Sequence, residues 1–274
     1  MKKRIIAAAV LIPVLLLIVL VAPKWVAAVV LSLLMAIGTY ELLFGTGLVR
    51  HVRMLAYSCI MSIAVTLWSF FGAVHAFGVL GVLLFIIPLF AEMMADHVKV
   101  NFKMICMCIM AGLVVPYLLS SLVRILAMKT GKYMILIPFI VAFASDAGAY
   151  FVGMRFGKHK LAPVVSPNKT IEGVLGGLVS ARVVMRLYAV ILQLLKFDVN
   201  YLLALVYGLV GSAAGVFGDL CFSAIKRQTG IKDYGNLIPG HGGVLDRFDS
   251  MMAGGPLMEV LLTLIPFAVG YKLW

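Results

Sequence analysis

Residues 201–227 read Tyr201-Leu-Leu-Ala-Leu-Val-Tyr-Gly208-Leu-Val-Gly211-Ser212-Ala-Ala-Gly215-Val-Phe-Gly-Asp219-Leu-Cys-Phe-Ser223-Ala-Ile-Lys226-Arg227. Apolar and small residues fill a run long enough to cross a bilayer, and charge arrives only toward its end. On a helix, Asp219, Ser223, Lys226 and Arg227 recur at i, i+4, i+7 and i+8, which is one face. Gly208, Gly211, Ser212 and Gly215 continue roughly that face inward, and small residues there let a neighbouring helix approach closely. Asp219 lies about 10 Å along the axis from Lys226. A carboxylate at that depth is costly unless it is paired or holds a metal. A structural salt bridge is the plain alternative.

The rest of the chain repeats the pattern. Of its 274 residues, 64% are hydrophobic and 12% charged, with a mean hydropathy of +1.11, whereas soluble domains carry roughly 25% charged residues. Nine stretches are long enough, or nearly so, to span a bilayer: 5–22, 25–44, 54–74, 77–93, 104–127, 133–154, 173–195, 201–226 and 253–272. The fold class is therefore all-α, a polytopic integral membrane protein with about nine transmembrane helices. The first run, behind Met1-Lys-Lys-Arg4, has the length of a span and no small-residue cleavage site before Pro23, so it reads as a retained helix. Cys59, Cys106, Cys108 and Cys221 all sit in apolar runs and read as small buried residues, not as disulfides or a zinc site.

With the N-terminus in the cytoplasm, fifteen of the 23 Lys and Arg residues fall on the inner side and five on the outer. This obeys the positive-inside rule. It also accounts for the net charge of +12 without nucleic acid, because the basic residues meet anionic headgroups and cytosol. Only two connections are long, 155–172 and 227–252, and both fall on the cytoplasmic side. The chain thus divides into N-terminal transmembrane helices acting as scaffold, 1–130, and a C-terminal region, 131–274, that carries the chemistry. No internal repeat of the kind that marks transporters is apparent.

The chemistry-bearing residues cluster in and beside those loops. Asp246 and Asp249 are three apart and share a face if the chain is helical there. Two aspartates suit magnesium, which takes one or two carboxylates and fills its other positions with water and substrate phosphate. Pro239-Gly240-His241-Gly242-Gly243 brings backbone N–H groups within reach of phosphate, and Lys232 and Arg247 flank it. In the other loop, Ser166 or Thr170, followed by Glu172 and glycines, marks a helix start that favours anions. Lys169 reads there either as a phosphate contact or as part of a solvated basic loop. Asp146 and Tyr150 are one turn apart in the sixth span, where an acid is a functional candidate. Arg182 and Arg186 lie within the seventh span. Three readings stay open for them: a polar cavity, a lipid phosphate, or a buried acid across a homodimer interface.

The run Ser223-x-Ile-Lys226-Arg227, Lys232-Asp233, Pro239-x-His241-Gly242-Gly243, Asp246-Arg247-Phe-Asp249 matches the long signature of the phosphatidate cytidylyltransferase (CDP-diacylglycerol synthase) family, which the chain resembles. Ser166-Pro-Asn168-Lys169-Thr-Ile-Glu172-Gly and Asp146-x-x-Ala-Tyr150 are similar to that family's upstream motifs, as is Tyr40-Glu41-Leu42 in the N-terminal third. Ala147 departs from the small hydroxyl residue frequent there, and Arg182 and Arg186 stand where apolar residues are expected. The resemblance implies transfer of a cytidylyl group from CTP to phosphatidic acid, giving CDP-diacylglycerol and pyrophosphate. It implies magnesium (Mg2+), with potassium (K+) as a second cation in some relatives. Carried onto these positions, the metal ligands are Asp219, Asp246 and Asp249. The catalytic set is Asp219, Lys226, Arg227, Asp246 and His241. Substrate falls to Ser166, Asn168, Lys169, Ser223, Lys232, Gly242, Gly243 and Arg247, with Asp146, Tyr150 and Glu172 in support. The expected setting is the cell's inner membrane, with the site open to the cytoplasm and to membrane lipids. The alternatives are a cytidylyltransferase for another lipid phosphate and an anionic-lipid carrier or scramblase.

Overall fold

The computed structural model describes residues 18–72, 75–237 and 242–270. Among them, seven helices are long and apolar enough to cross a membrane: α1 (Lys24–Gly45), α2 (Val52–Phe71), α3 (His75–Ala95), α4 (Phe102–Ala127), α5 (Gly131–Phe156), α6 (Ile171–Leu194) and α7 (Tyr201–Gln228). Two shorter helices follow, α8 (Leu245–Phe248) and α9 (Met251–Leu264). The only strands among the described residues form two-stranded antiparallel pairs: β1 (Lys160–Ala162) with β2 (Ser166–Thr170), and β3 (Phe197–Val199) with β4 (Ala268–Gly270). The chain is thus an all-α, polytopic membrane protein. Large apolar side chains that face outward, such as Phe77, Leu80, Leu84 and Ile87 on α3, are the lipid-facing surface expected of such helices.

Seven of the nine predicted spans coincide with α1–α7 to within about three residues. Most of the first, 5–22, falls outside the described residues, which begin at 18. The last, 253–272, differs: α9 has only 14 residues. Pro266 is the cause, because a proline clashes with a helical predecessor. Ile265 accordingly leaves the helix at φ −139°, ψ 65°, and the chain runs on into β4 beside β3.

The helices divide into two compact units. The first comprises Met1–Ala127 with Lys226–Phe248, and the second Met128–Ile225 with Asp249–Trp274. In the first unit, α1, α2 and α4 pack through small residues. Ala28, Ser58 and Ser62 are fully buried, and a Cβ at Gly112 would sit 2.9 Å from Ser58 Cα. Pro116 has no N–H to offer the preceding turn. There α4 widens into a π-turn, Met110–Val114, and the Thr39 hydroxyl donates to the Ala111 carbonyl at 2.9 Å. A second π-turn, Glu41–Gly45, closes α1.

In the second unit, α5 and α6 meet backbone to backbone. A Cβ at Gly148 would lie 2.8 Å from the Gly176 carbonyl, one at Gly177 2.8 Å from the Ser145 carbonyl, and one at Gly173 2.9 Å from the Ala149 carbonyl. Only glycine permits such an approach. The predicted glycine face of α7 is used the same way. Gly208 abuts the backbone of Arg182, and Ser212 exchanges a 2.6 Å hydroxyl hydrogen bond with Ser145 of α5. Tyr207 is buried against Phe267, ring centroids 4.8 Å apart, and its hydroxyl donates to the Ile265 carbonyl at 3.0 Å.

Candidate active site

In the second unit the polar residues gather where α7 meets the hairpin β1–β2. Of the two candidate helix starts in that loop, Thr170 caps α6: its Oγ1 accepts the Gly173 N–H at 3.1 Å. The cap fixes the residue before it, Lys169, whose ammonium pairs with the Asp219 carboxylate. Ser223, one turn further along α7, donates its hydroxyl to Asp219 Oδ1 at 3.1 Å. The Lys169 and Asp219 side chains each stay about a quarter exposed, so the pair is not sealed inside the protein. The i, i+4 spacing puts Asp219 and Ser223 together; the third member comes from another element.

Asp249 joins this neighbourhood through the backbone. A Cβ at Gly218 would lie 2.7 Å from the Asp249 carbonyl oxygen, so the chain carrying Asp249 rests on α7 next to Asp219. Asp249 Oδ1 accepts the Ser250 N–H at 2.7 Å. Glu172 faces elsewhere: it accepts the N–H groups of Lys158 and His159 at 3.1 and 3.2 Å and meets His159 Nδ1 at 2.6 Å. It thereby ties the start of the hairpin to α6. Ser166 and Asn168 lie on β2, Asn168 exposed, while Asp146 and Tyr150 are exposed on α5. Arg182 Nε is buried with no hydrogen-bond partner among the described residues, and Arg186 stacks over the Tyr201 ring at 5.8 Å.

The first unit holds the second constellation. Lys226 Nζ pairs with Asp246 Oδ1 at 2.9 Å, the side chains 12% and 2% exposed. Asp246 Oδ2 accepts the N–H groups of Tyr234 at 2.8 Å and Gly243 at 3.0 Å. Gly242, at φ +82°, turns the chain tightly against this carboxylate; a Cβ there would come within 2.8 Å of Oδ2. The Lys226 ammonium also lies 5.4 Å from the Tyr234 ring centroid. Arg227, Lys232 and Arg247 are exposed. His241 lies outside the described residues. The helical continuity that would set Asp246 and Asp249 on one face is absent, since α8 ends at Phe248 and α9 begins at Met251.

One residue escaped the sequence-based site. Glu41, on the π-turn that closes α1, is 5% exposed and accepts the N–H groups of Val244 at 3.0 Å and Leu245 at 2.9 Å. Its only signal in the sequence is an acid at the end of an apolar run, within Tyr40-Glu41-Leu42.

Among the described residues no three His, Cys, Asp or Glu side chains gather closely enough to cage a metal ion. Magnesium does not need such a cage, because it keeps waters and substrate oxygens around one or two carboxylates. Asp219 fits that use: it is partly exposed, Lys169 stands where a cation would sit, and the backbone of Asp249 lies against the adjacent Gly218. Asp246 fits less well, with three donors already on its two oxygens and almost no exposure.

Residues 2–265 match the profile of the cytidylyltransferase family. Among curated proteins, the phosphatidate cytidylyltransferase of Staphylococcus haemolyticus (strain JCSC1435) is 48% identical over 132 residues, 48% of this chain and 50% of that protein. The phosphatidate cytidylyltransferase of Staphylococcus aureus (strain COL) is 46% identical over 132 residues, with the same coverage. That of Bacillus subtilis (strain 168) is 46% identical over 125 residues, 46% of this chain and 45% of that protein. The chain spans about half the length of the curated relatives it matches.

Proposed function

The chain belongs to the cytidylyltransferase family, and from that premise we propose that it transfers the cytidylyl group of CTP to phosphatidic acid. The products are CDP-diacylglycerol, which stays in the membrane, and pyrophosphate. The observation that carries the reading is Asp219, held between Lys169 and Ser223 at the end of an otherwise apolar transmembrane helix. A lipid phosphate approaching from the bilayer and a nucleotide approaching from water both need charge at that level.

An anionic oxygen of the lipid phosphate attacks the α-phosphorus of CTP. The bond from that phosphorus to the bridging oxygen breaks, and its electron pair leaves with pyrophosphate. The nucleophile is already ionised, so the protein need not remove a proton. Its work is to position two anions and to neutralise charge as it moves onto the leaving group. Lys169, Arg227, Lys232 and Arg247 are the cations for the phosphates, with Ser223 as a neutral donor. Lys226 is fixed by Asp246 and presents a directed charge. Asp219 and Asp249 would hold magnesium, which draws the negative charges of the two reactants together when bound. Potassium is retained as a candidate second cation, and Asp246 as a lesser candidate ligand. The Lys and Arg distribution supports a site on the cytoplasmic face of the cell membrane.

The test is direct. Purified protein in detergent, given labelled CTP and phosphatidic acid, should form labelled CDP-diacylglycerol. EDTA should stop the reaction and excess magnesium restore it. Movement of phosphatidic acid between leaflets of reconstituted vesicles with no consumption of CTP would refute the proposal.

A further inference from the structure

We infer that Glu41 is a positioning residue for the reaction, the point at which the N-terminal helices set the geometry of the Lys226–Arg247 stretch. The inference rests on the cytidylyl-transfer reading.

Glu41 and Asp246 together accept four backbone N–H groups from one short stretch of chain: Val244 and Leu245 on Glu41, Tyr234 and Gly243 on Asp246. Both carboxylates are buried, 5% and 6% exposed. Burying a carboxylate is strongly unfavourable unless donors surround it, so these hydrogen bonds are what keeps Glu41 in place. The surroundings are shaped for it. A Cβ at Gly235 or at Gly243 would collide with the Glu41 carboxylate. Two points eight residues apart are thereby drawn against one side chain. Gly45, on the same π-turn, leaves no room for a Cβ against the Tyr234 carbonyl. The π-turn itself has a role here, because its wider winding alters which way the residues of α1's last turn project.

The consequence falls on the exposed cations. Lys232 lies three residues before Gly235, and Arg247 two residues after Leu245. Near Arg247 the backbone is hydrogen-bonded to Glu41 at Val244 and Leu245, and near Lys232 it rests against the same carboxylate at Gly235. Asp246, which orients Lys226, is the residue next to Leu245. Glu41 touches neither substrate nor reacting atoms in this account; it acts through the backbone that presents Lys226, Lys232 and Arg247.

The test uses Glu41→Ala and Glu41→Gln in the full-length protein, with two readouts. Hydrogen exchange, resolved by overlapping peptides, should show Val244 and Leu245 losing protection by tenfold or more, on the order of two lost charge-assisted bonds, in the alanine variant. In CTP turnover, kcat of the alanine variant should fall about 10²-fold, the scale of a 1 Å misplacement, while KM for phosphatidic acid stays within about twofold. The glutamine variant keeps one acceptor oxygen but turns its NH2 group toward the second N–H, so it should fall between wild type and alanine in both readouts, with a melting midpoint also between theirs. A purely structural role would lower the melting midpoint and leave kcat of the folded protein, assayed well below that midpoint, at the wild-type value. Unchanged exchange at Val244 and Leu245, or an alanine variant with kcat within about threefold of wild type, overturns the inference. A wild-type protein that exchanges as expected yet consumes no CTP refutes the transferase reading instead, and the exchange data still decide the anchor.

Discussion

Replacing Asp246 by asparagine should damage the protein chiefly through what it leaves behind. The Asp246–Lys226 pair is 2.9 Å long and nearly dry, 2% and 12% exposed. At an effective dielectric constant of about 20, unit charges at that separation attract by about 6 kcal/mol. Removing the two ions from water takes back several kcal/mol, so the pair's net contribution is small. Breaking it is another matter. The asparagine side chain would still accept the Tyr234 and Gly243 N–H groups through its amide oxygen, but the Lys226 ammonium would be left buried opposite an NH2 group. Such an orphaned charge costs about 3–5 kcal/mol. At roughly 2–4 °C per kcal/mol for a chain of this size, the melting midpoint should fall by about 6–20 °C. Lys226→Met leaves Asp246 with its two backbone donors and should cost less, about 1–3 kcal/mol. The double variant removes the orphan, so its penalty should be smaller than the sum of the singles by about 2–3 kcal/mol. The assay is thermal unfolding of the four proteins in one detergent. Additivity within about 0.5 kcal/mol would refute the reasoning. Turnover that returned in the double variant would remove Lys226 from the catalytic set.

Asp219→Asn should lower kcat at least about 10²-fold and raise the magnesium concentration needed for half-maximal rate; a variant that responds to magnesium as wild type does would take Asp219 out of the metal site. Lys169→Ala should raise KM for CTP or the lipid more than it lowers kcat, measured by steady-state kinetics, because the cation steers anions that arrive by diffusion. Gly242→Ala places a Cβ at φ +82° against Asp246 Oδ2 and should destabilise by about 1–3 kcal/mol with loss of turnover, read by melting and CTP assay. Asn101→Ala removes the side-chain acceptor of the Met104 N–H at the start of α4 and should cost about 0.5–2 kcal/mol in stability while leaving kcat unchanged.

Hydropathy located α1–α7 because the bilayer sets one length for all of them. The same averaging carried the last predicted span through Pro266, although the dipeptide Ile265-Pro266 already announced the stop. Contacts within one helix or turn were equally readable: Asp219 with Ser223, and a hydroxyl cap with the Gly173 amide. Pairings between distant segments were not. Nothing in the spacing of Lys169 and Asp219 shows that they meet, and Glu41 bonds to backbone amides 203 and 204 residues away. Backbone N–H groups carry no sequence signature, so a carboxylate that serves them reads as an acid with no partner. The main-chain donors on Asp246, two of its three, are invisible in the sequence for the same reason.

The contact between α5 and α6 bears on how a mutational screen of this protein would look. Gly148 and Gly177 pack against Ser180 and Ser145 within the spanning length, and the helices they hold together continue to Gly153, Gly157 and Gly173, which lie against Thr170. A methyl group added at depth must wedge the two rods apart, and the displacement would be felt at the threonine and at Lys169 beside it. Inactivating hits should therefore string out along this line of glycines, none of which carries a side chain that could touch a reactant. Their pattern would trace a lever, not a second site.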